Sequence, residues 1–296
     1  ASNLNYAAGA TVANLVTAKL GAGGRLSVFN AAGWTDVIAD VEGWYDDGTV
    51  ADGAGYHPLT PARILDTRFG LGPLGPAATF DLQVTGQGGV PATGVSAVIL
   101  NVAVTGATMA GYLTAFPAGE ALPPTSNLNF VAGQTVPNLV TAKLGAGGRL
   151  SLFNAAGSTD VIADVAGWYD DGASTTGGRF HPVTPGRVLD TRFGAGPLGP
   201  AATMGVQVAG EGGVPATGAT AVVLNVAVTG PTASSYLTVF PGGEAMPVVS
   251  NLNFVAGQTV PNLVVAKLGA GGSLAAYNAA GTTDLVADVA GWFDAG

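Results

Sequence analysis

The sequence has no cysteine, which removes disulfides, thiolate catalysis and cysteine-ligated zinc together. It is also poor in charge. Only 10% of its 296 residues are Asp, Glu, Lys or Arg, against a usual share of about 25%. Ten are basic and the net charge is −9. The basic residues are dispersed, as at Lys19, Lys143 and Lys267, so no basic patch offers itself to nucleic acid or to an anionic membrane. Apolar stretches are broken by Asn, Thr and Gly, and none approaches the ~18 residues of a membrane helix. The two histidines, His57 and His181, each precede a proline. No G-x-S-x-G elbow accompanies them, and a lone histidine is no zinc site, so they read as packing residues. Ala1-Ser2-Asn3-Leu4 carries no signal-peptide pattern and reads as mature or trimmed sequence.

What is present is repetition. Ser2-Asn3-Leu4-Asn5 returns as Ser126-Asn127-Leu128-Asn129 and as Ser250-Asn251-Leu252-Asn253, each 124 positions on. His57-Pro58 returns as His181-Pro182, and Leu65-Asp66-Thr67-Arg68 as Leu189-Asp190-Thr191-Arg192. The chain therefore reads as a partial repeat at 1–50, holding a late half only, then full modules at 51–174 and 175–296. Hydrophobic residues make up 48%, enough for a core and too many for disorder. The 47 glycines show no collagen-like period and cluster in turns.

Within one unit, short segments rich in Val, Leu, Thr and aromatics predict eight strands: 63–67, 79–85, 97–105, 112–116, 127–131, 138–144, 149–154 and 160–169. Almost no helix is expected. Gly145-Ala146-Gly147-Gly148 predicts a hairpin, and Asn154 to Gly157 another turn. Pro58, Pro61 and Pro73 are placed outside strand interiors. A weaker similarity between 101–119 and 140–157 suggests related meanders. The expected fold is all-β, tandem antiparallel sandwiches, with β-trefoil or β-prism modules as alternatives.

Candidate sites follow from the scarce polar and aromatic residues. Arg63, Asp66, Arg68 and their repeats Arg187, Asp190, Arg192 suit structural ion pairs, with Asp40 or Asp164 as further carboxylates. Asp46-Asp47-Gly48 and Asp170-Asp171-Gly172 read as linker turns rather than calcium loops, because no D-x-D-x-D-G pattern is present. Trp44, Trp168 and Trp292 recur, as do Tyr112 and Tyr236; core packing, a sugar-binding plate or an assembly contact each use such residues. Trp34, replaced by Ser158 and Thr282 in the other copies, suits a surface contact anchor. Asn5, Asn14, Asn101, Asn129, Asn138, Asn225, Asn253 and Asn262 lie inside apolar strands and need partners; holding bulges or sheet edges is the simplest use. Glu120 and Glu244 recur in turns without a partner carboxylate at a readable spacing. No catalytic residue, cofactor or metal is expected.

One further likeness covers nearly the whole chain. His181-Pro-Val-Thr-Pro-Gly-Arg-Val-Leu-Asp-Thr-Arg192, Gly213-Val-Pro-Ala216, Ala221-Val-Val-Leu-Asn-Val226, Tyr236-Leu-Thr-Val-Phe-Pro241, Ser250-Asn-Leu-Asn-Phe254 and Ala287-Asp-Val-Ala-Gly-Trp-Phe293 together resemble a tandem repeat of secreted actinobacterial proteins. That resemblance implies an extracellular or wall-associated module and carries over no catalytic residues. The functional expectation is a non-enzymatic structural or assembly protein, a filament or surface-layer component, with a multivalent carbohydrate-binding module as the alternative. Residues 1–48 would leave an apolar face and strand edges uncovered. Self-association or a neighbouring chain is expected to cover them, while nucleic acid and membrane insertion are not expected. Late halves outnumber early halves three to two, so a simple swap between copies cannot balance. The surplus halves then pair with one another, or the half folds as its own sheet in a solenoid-like stack.

Overall fold

The computed structural model describes residues 2–47, 53–174 and 176–296. The expected module boundaries at 50/51 and 174/175 touch residues 48–52 and 175, which lie outside the described residues. Among the described residues, sixteen strands and one 3-10 turn, Ala270–Gly272, make up the regular structure. In the first module these are β1 (Tyr56–Asp66), β2 (Ala78–Gln83), β3 (Val95–Thr105), β4 (Gly111–Pro117), β5 (Leu128–Phe130), β6 (Val136–Lys143), β7 (Arg149–Asn154) and β8 (Asp160–Asp170). In the second they are β9 (Phe180–Asp190), β10 (Ala202–Gln207), β11 (Ala221–Thr229), β12 (Ser235–Pro241), β13 (Leu252–Phe254), β14 (Val260–Lys267), β15 (Ser273–Asn278) and β16 (Asp284–Phe293).

Each module is an antiparallel sandwich of two four-stranded sheets. The first pairs β1-β8-β3-β6 and β2-β7-β4-β5; the second pairs β14-β11-β16-β9 and β10-β15-β12-β13. The alternation predicted for the strands explains the layers. Val98, Leu100, Val102 and Val104 of β3 point inward with Leu150 and Leu152 of β7 and form the first core. Val222, Leu224, Val226 and Val228 do the same in the second. Trefoil and prism modules are thereby replaced by sandwiches.

Three local expectations are corrected. Pro58 and Pro61 lie inside β1, not outside it. β1 is an edge strand, where proline is tolerated, and its pairing with β8 is irregular between Pro58 and Ala62, the stretch that holds Pro61. The glycine turn 145–148 closes only a single antiparallel bridge, Gly145 to Arg149, and not a hairpin of two paired strands: it carries the chain from β6 to β7, which belong to opposite sheets. Gly147 and Gly148 do adopt φ of +70° and +69° there, the left-handed region that glycine enters without strain. Meanders are likewise absent among the described residues, since only β4–β5 and β12–β13 join consecutive strands within a sheet.

The order of the strands decides the fate of the partial repeat. In both sheets early and late strands alternate: β8 lies between β1 and β3, β7 between β2 and β4, while β6 pairs with β3 and β5 with β4. No late strand pairs with another late strand. A late half alone therefore has no ladder to make, and residues 2–47 contain no strand. The expected separate sheet and solenoid stack are thus both replaced by an extended arm laid against the two sandwiches. Its equivalents of core residues face outward. Leu150, Leu152, Val161 and Val165 are at most 1% exposed, whereas Leu26, Val28, Val37 and Val41 are 59–89% exposed.

Candidate functional site

The arginine–aspartate blocks are closed networks. The Arg63 guanidinium donates from Nε to Asp164 Oδ1 at 2.8 Å, from Nη2 to Asp164 Oδ2 at 3.2 Å and from Nη1 to Asp66 Oδ2 at 3.2 Å. Arg68 donates from Nε and Nη2 to the two oxygens of Asp66 at 2.8 and 2.6 Å. Arg187, Arg192, Asp190 and Asp288 repeat the arrangement. The hydrogen bonds from Arg68 hold the Asp66 carboxyl below its usual range, and those from Arg192 bring Asp190 to about 2. Burial raises Asp164 despite its Arg63 partner. The guanidiniums are thus committed to carboxylates within their own module.

The recurring tryptophans fall into two states. Trp168 stacks on His57 with ring centroids 3.9 Å apart and planes 8° from parallel. His57 Nε2 lies 3.0 Å from Asp170 Oδ2, and that carboxylate also accepts from the Gly55 and Gly172 amides. Trp292, His181 and Asp294 repeat the set at 4.0 and 2.8 Å. Trp44, in the same repeat position, is 73% exposed, and Trp34 stands fully in solvent. Tyr112 and Tyr236 lie on the outer sheets beside Phe153 and Tyr277, with centroids 6.2 Å apart in both modules.

The asparagines converge in a way the sequence did not reveal. Leu15 N–H donates to Asn138 Oδ1, Leu139 N–H to Asn262 Oδ1, and Leu263 N–H to Asn14 Oδ1, at 3.2, 3.2 and 3.3 Å. These are the same bond made from arm to first module, first to second, and second back to arm. The three repeats therefore close a ring with pseudo-threefold symmetry. Asn101 Nδ2 donates to Ser250 O and Asn225 Nδ2 to Ser2 O, in the same cyclic sense. Aromatics fill the axis: Tyr56 packs on Phe293 at 4.3 Å and Phe180 on Tyr45 at 4.2 Å. Tyr45 and Tyr169 hydroxyls meet at 2.6 Å, and burial raises both phenols. The outer faces of the sheets β1-β8-β3-β6 and β14-β11-β16-β9 supply Ile99, Leu139, Val223, Leu263 and Val265 to this third core. The 124-residue spacing was the only signal for the ring, because a cyclic bond between repeats needs three copies in space, not a local motif.

Glu42 pins the arm. It replaces Ala166 and Ala290 of the complete modules. Its Oε1 accepts from Asn127 Nδ2 at 2.6 Å and its Oε2 from the Thr141 amide at 3.2 Å, on the free edge of β6. The residue as a whole is exposed, but enclosure of its carboxyl pushes the pKa up to about 7, opposed by those two hydrogen bonds. Glu120 and Glu244 are bound by Lys143 and Lys267 at 3.2 and 2.7 Å. Among the described residues no group of three His, Asp or Glu is placed to hold a metal. A void between the sheets of the second module measures about 20 Å³, room for little more than one water.

No known family model matches the chain, and no curated protein is significantly similar to it.

Proposed function

We propose that this chain is a non-enzymatic, extracellular structural repeat protein that is built into a larger assembly through the arm formed by residues 2–47. The observation that carries this reading is the arm: it is docked in the ring through Ser2, Asn14 and Leu15 and again through Glu42 and Tyr45, and it bares Val28, Phe29, Ile38, Val41 and Trp44 at 73–89% exposure. Apolar surface of that extent marks contact surfaces. The committed state of the arginines, histidines and glutamates supports an interaction role over catalysis. Secretion rests on the resemblance to secreted actinobacterial repeats. Sedimentation and negative-stain microscopy of purified protein at rising concentration test the reading. Filaments or defined oligomers support it. A monomer at every concentration that also takes up no second polypeptide contradicts it.

A second reading, a multivalent carbohydrate-binding module, is favoured by the equivalent pairs Tyr112/Phe153 and Tyr236/Tyr277 on the two outer sheets. It predicts glycan-array binding lost in the Tyr112→Ala, Tyr236→Ala double variant; silence across wall and plant polysaccharides counts against it.

A further inference from the structure

We propose that one end of the ring, the face that carries Phe69 and Phe193, is a contact face for a second copy of this chain, apposed about a twofold axis. The residues that carry it belong to the two complete modules and not to the arm.

Closure of the ring decides which loops share a face. Asn138 and Asn262 lie near the start of β6 and β14, while Tyr56 and Phe180 open β1 and β9; within the inner sheets these are opposite ends. Both sets meet at the pseudo-threefold axis, so the axis runs along the inner strands. The cyclic bonds join the same positions in each repeat, which sets equivalent residues of the two modules at one height. At the Asn138 end the first module presents residues 67–77, 106–110, 131–135 and 155–159, and the second presents 191–201, 230–234, 255–259 and 279–283.

This end is apolar and nearly free of charge. Phe69, Leu71, Met109 and Val131, with Phe193 and Val255, are 56–80% exposed, and apolar side chains gathered on one face mark an interaction site. Within those loops the charged residues are Arg68 and Arg192 alone, and each donates to the aspartate two residues before it. The phenyl rings stand on closed turns. Phe69 N–H donates to Asp66 O at 3.3 Å, Gly72 N–H to Thr67 O at 2.9 Å, and the Arg68 guanidinium lies 5.4 Å from the Phe69 ring centre. Phe193, Gly196 and Arg192 repeat this at 3.2, 2.9 and 5.5 Å. Neighbouring loops are tied together: Thr108 N–H donates to Ser158 O and Gly133 N–H to Ala107 O, as do Thr232 to Thr282 and Gly257 to Pro231. An aromatic already fixed in place loses little freedom on binding, and such anchors supply much of the energy of a contact.

Charge selects the occupant. The net charge is −9, and the opposite end of the modules carries Glu120, Lys143, Arg149, Glu211, Glu244 and Lys267. Two copies that meet through the Phe69 face keep those ionic groups at the far ends, whereas any contact through the opposite end sets like charges together. The same loops on both copies form an isologous contact, apolar against apolar. A lipid surface draws on lysine and on free arginine; this face has no lysine, and its two arginines are bound to carboxylates.

The test is sedimentation velocity of the 296-residue chain at rising concentration, with maleimide labelling of single-cysteine variants, which the absence of native cysteine makes specific. We expect a monomer–dimer equilibrium. In the Phe69→Ser, Phe193→Ser double variant its dissociation constant should rise about tenfold or more, with the unfolding temperature unchanged because both rings stand in solvent. Met109→Cys should label more slowly as the dimer forms, and Glu120→Cys, at the other end, at one rate throughout. A monomer at every concentration overturns the proposal, as does a dimer in which Met109→Cys labels undiminished. Oligomers that survive the double variant overturn this face and leave assembly through the arm in place. A monomer that instead binds phosphatidylcholine vesicles, and ceases to in the double variant, overturns the second copy in favour of lipid. A dimer that is lost in the double variant and forms nothing larger upholds the face and removes the filament.

Discussion

At the scale of single residues, scarcity of charge makes each ionic group accountable. Asp164 is 3% exposed at its side chain and held by both arms of one guanidinium. Arg63→Gln should cost about 3 kcal/mol, the usual penalty of leaving a buried carboxylate without its partner. Thermal unfolding reads it, and Arg63→Lys should recover only part because an ammonium cannot bind bidentately. Glu42 gives a pH signature of defined sign. Its carboxyl is raised from 4.5 to about 7, so the docked arm holds the proton more tightly than the free arm does. The contribution of this group to docking is complete below about pH 4.5 and is lost as pH rises through about 7. The open remainder of the residue screens the effect. Limited proteolysis within residues 2–47 should therefore quicken from pH 5 to pH 8 in the native protein, and a Glu42→Gln variant should lose that trend; an unchanged trend in the variant would assign it to another group.

At the scale of elements, strands were legible and their partners were not. The eight segments read from alternation and turn residues coincide with β1 to β8 within a few residues, apart from β1, whose first half was hidden by its two prolines. Pairing was invisible because the glycine corners at 145–148 and 154–157 serve a sheet-to-sheet crossing as well as a hairpin. The asparagine set was recognised as needing partners, but its cyclic use depends on three repeats meeting at one axis. Asn262 is 1% exposed. It donates to Asn101 Oδ1 and Asn251 O while accepting from the Leu139 amide. Asn262→Ala should destabilise the contact between the sandwiches by about 2 kcal/mol, from the buried groups left unpaired. Asn14→Ala should loosen the arm where it meets Leu263 and leave the unfolding of the modules unchanged, while the arm keeps its other anchors at Leu15, Glu42 and Tyr45. Gly167→Ala should cost about 2 kcal/mol through collision with Tyr56, measurable by denaturant unfolding.

At the scale of the molecule, the early–late alternation of strands joins sequence to proposed role. Residues 2–47 form no strand, whereas in both sandwiches every late strand pairs with an early one. The ring lends the arm hydrogen bonds at Ser2, Asn14, Leu15 and Tyr45 and a clamp at Glu42, and leaves the core-type side chains of residues 25–41 open. The most direct measurement of this account is hydrogen–deuterium exchange of the isolated chain across residues 2–47. Slowed exchange is predicted at Leu15, whose amide is bonded to Asn138, and free exchange across residues 25–41, whose core-type side chains face solvent. Uniformly free exchange through the whole arm would contradict the ring, and strong protection of residues 25–41 in the chain alone would contradict the open arm.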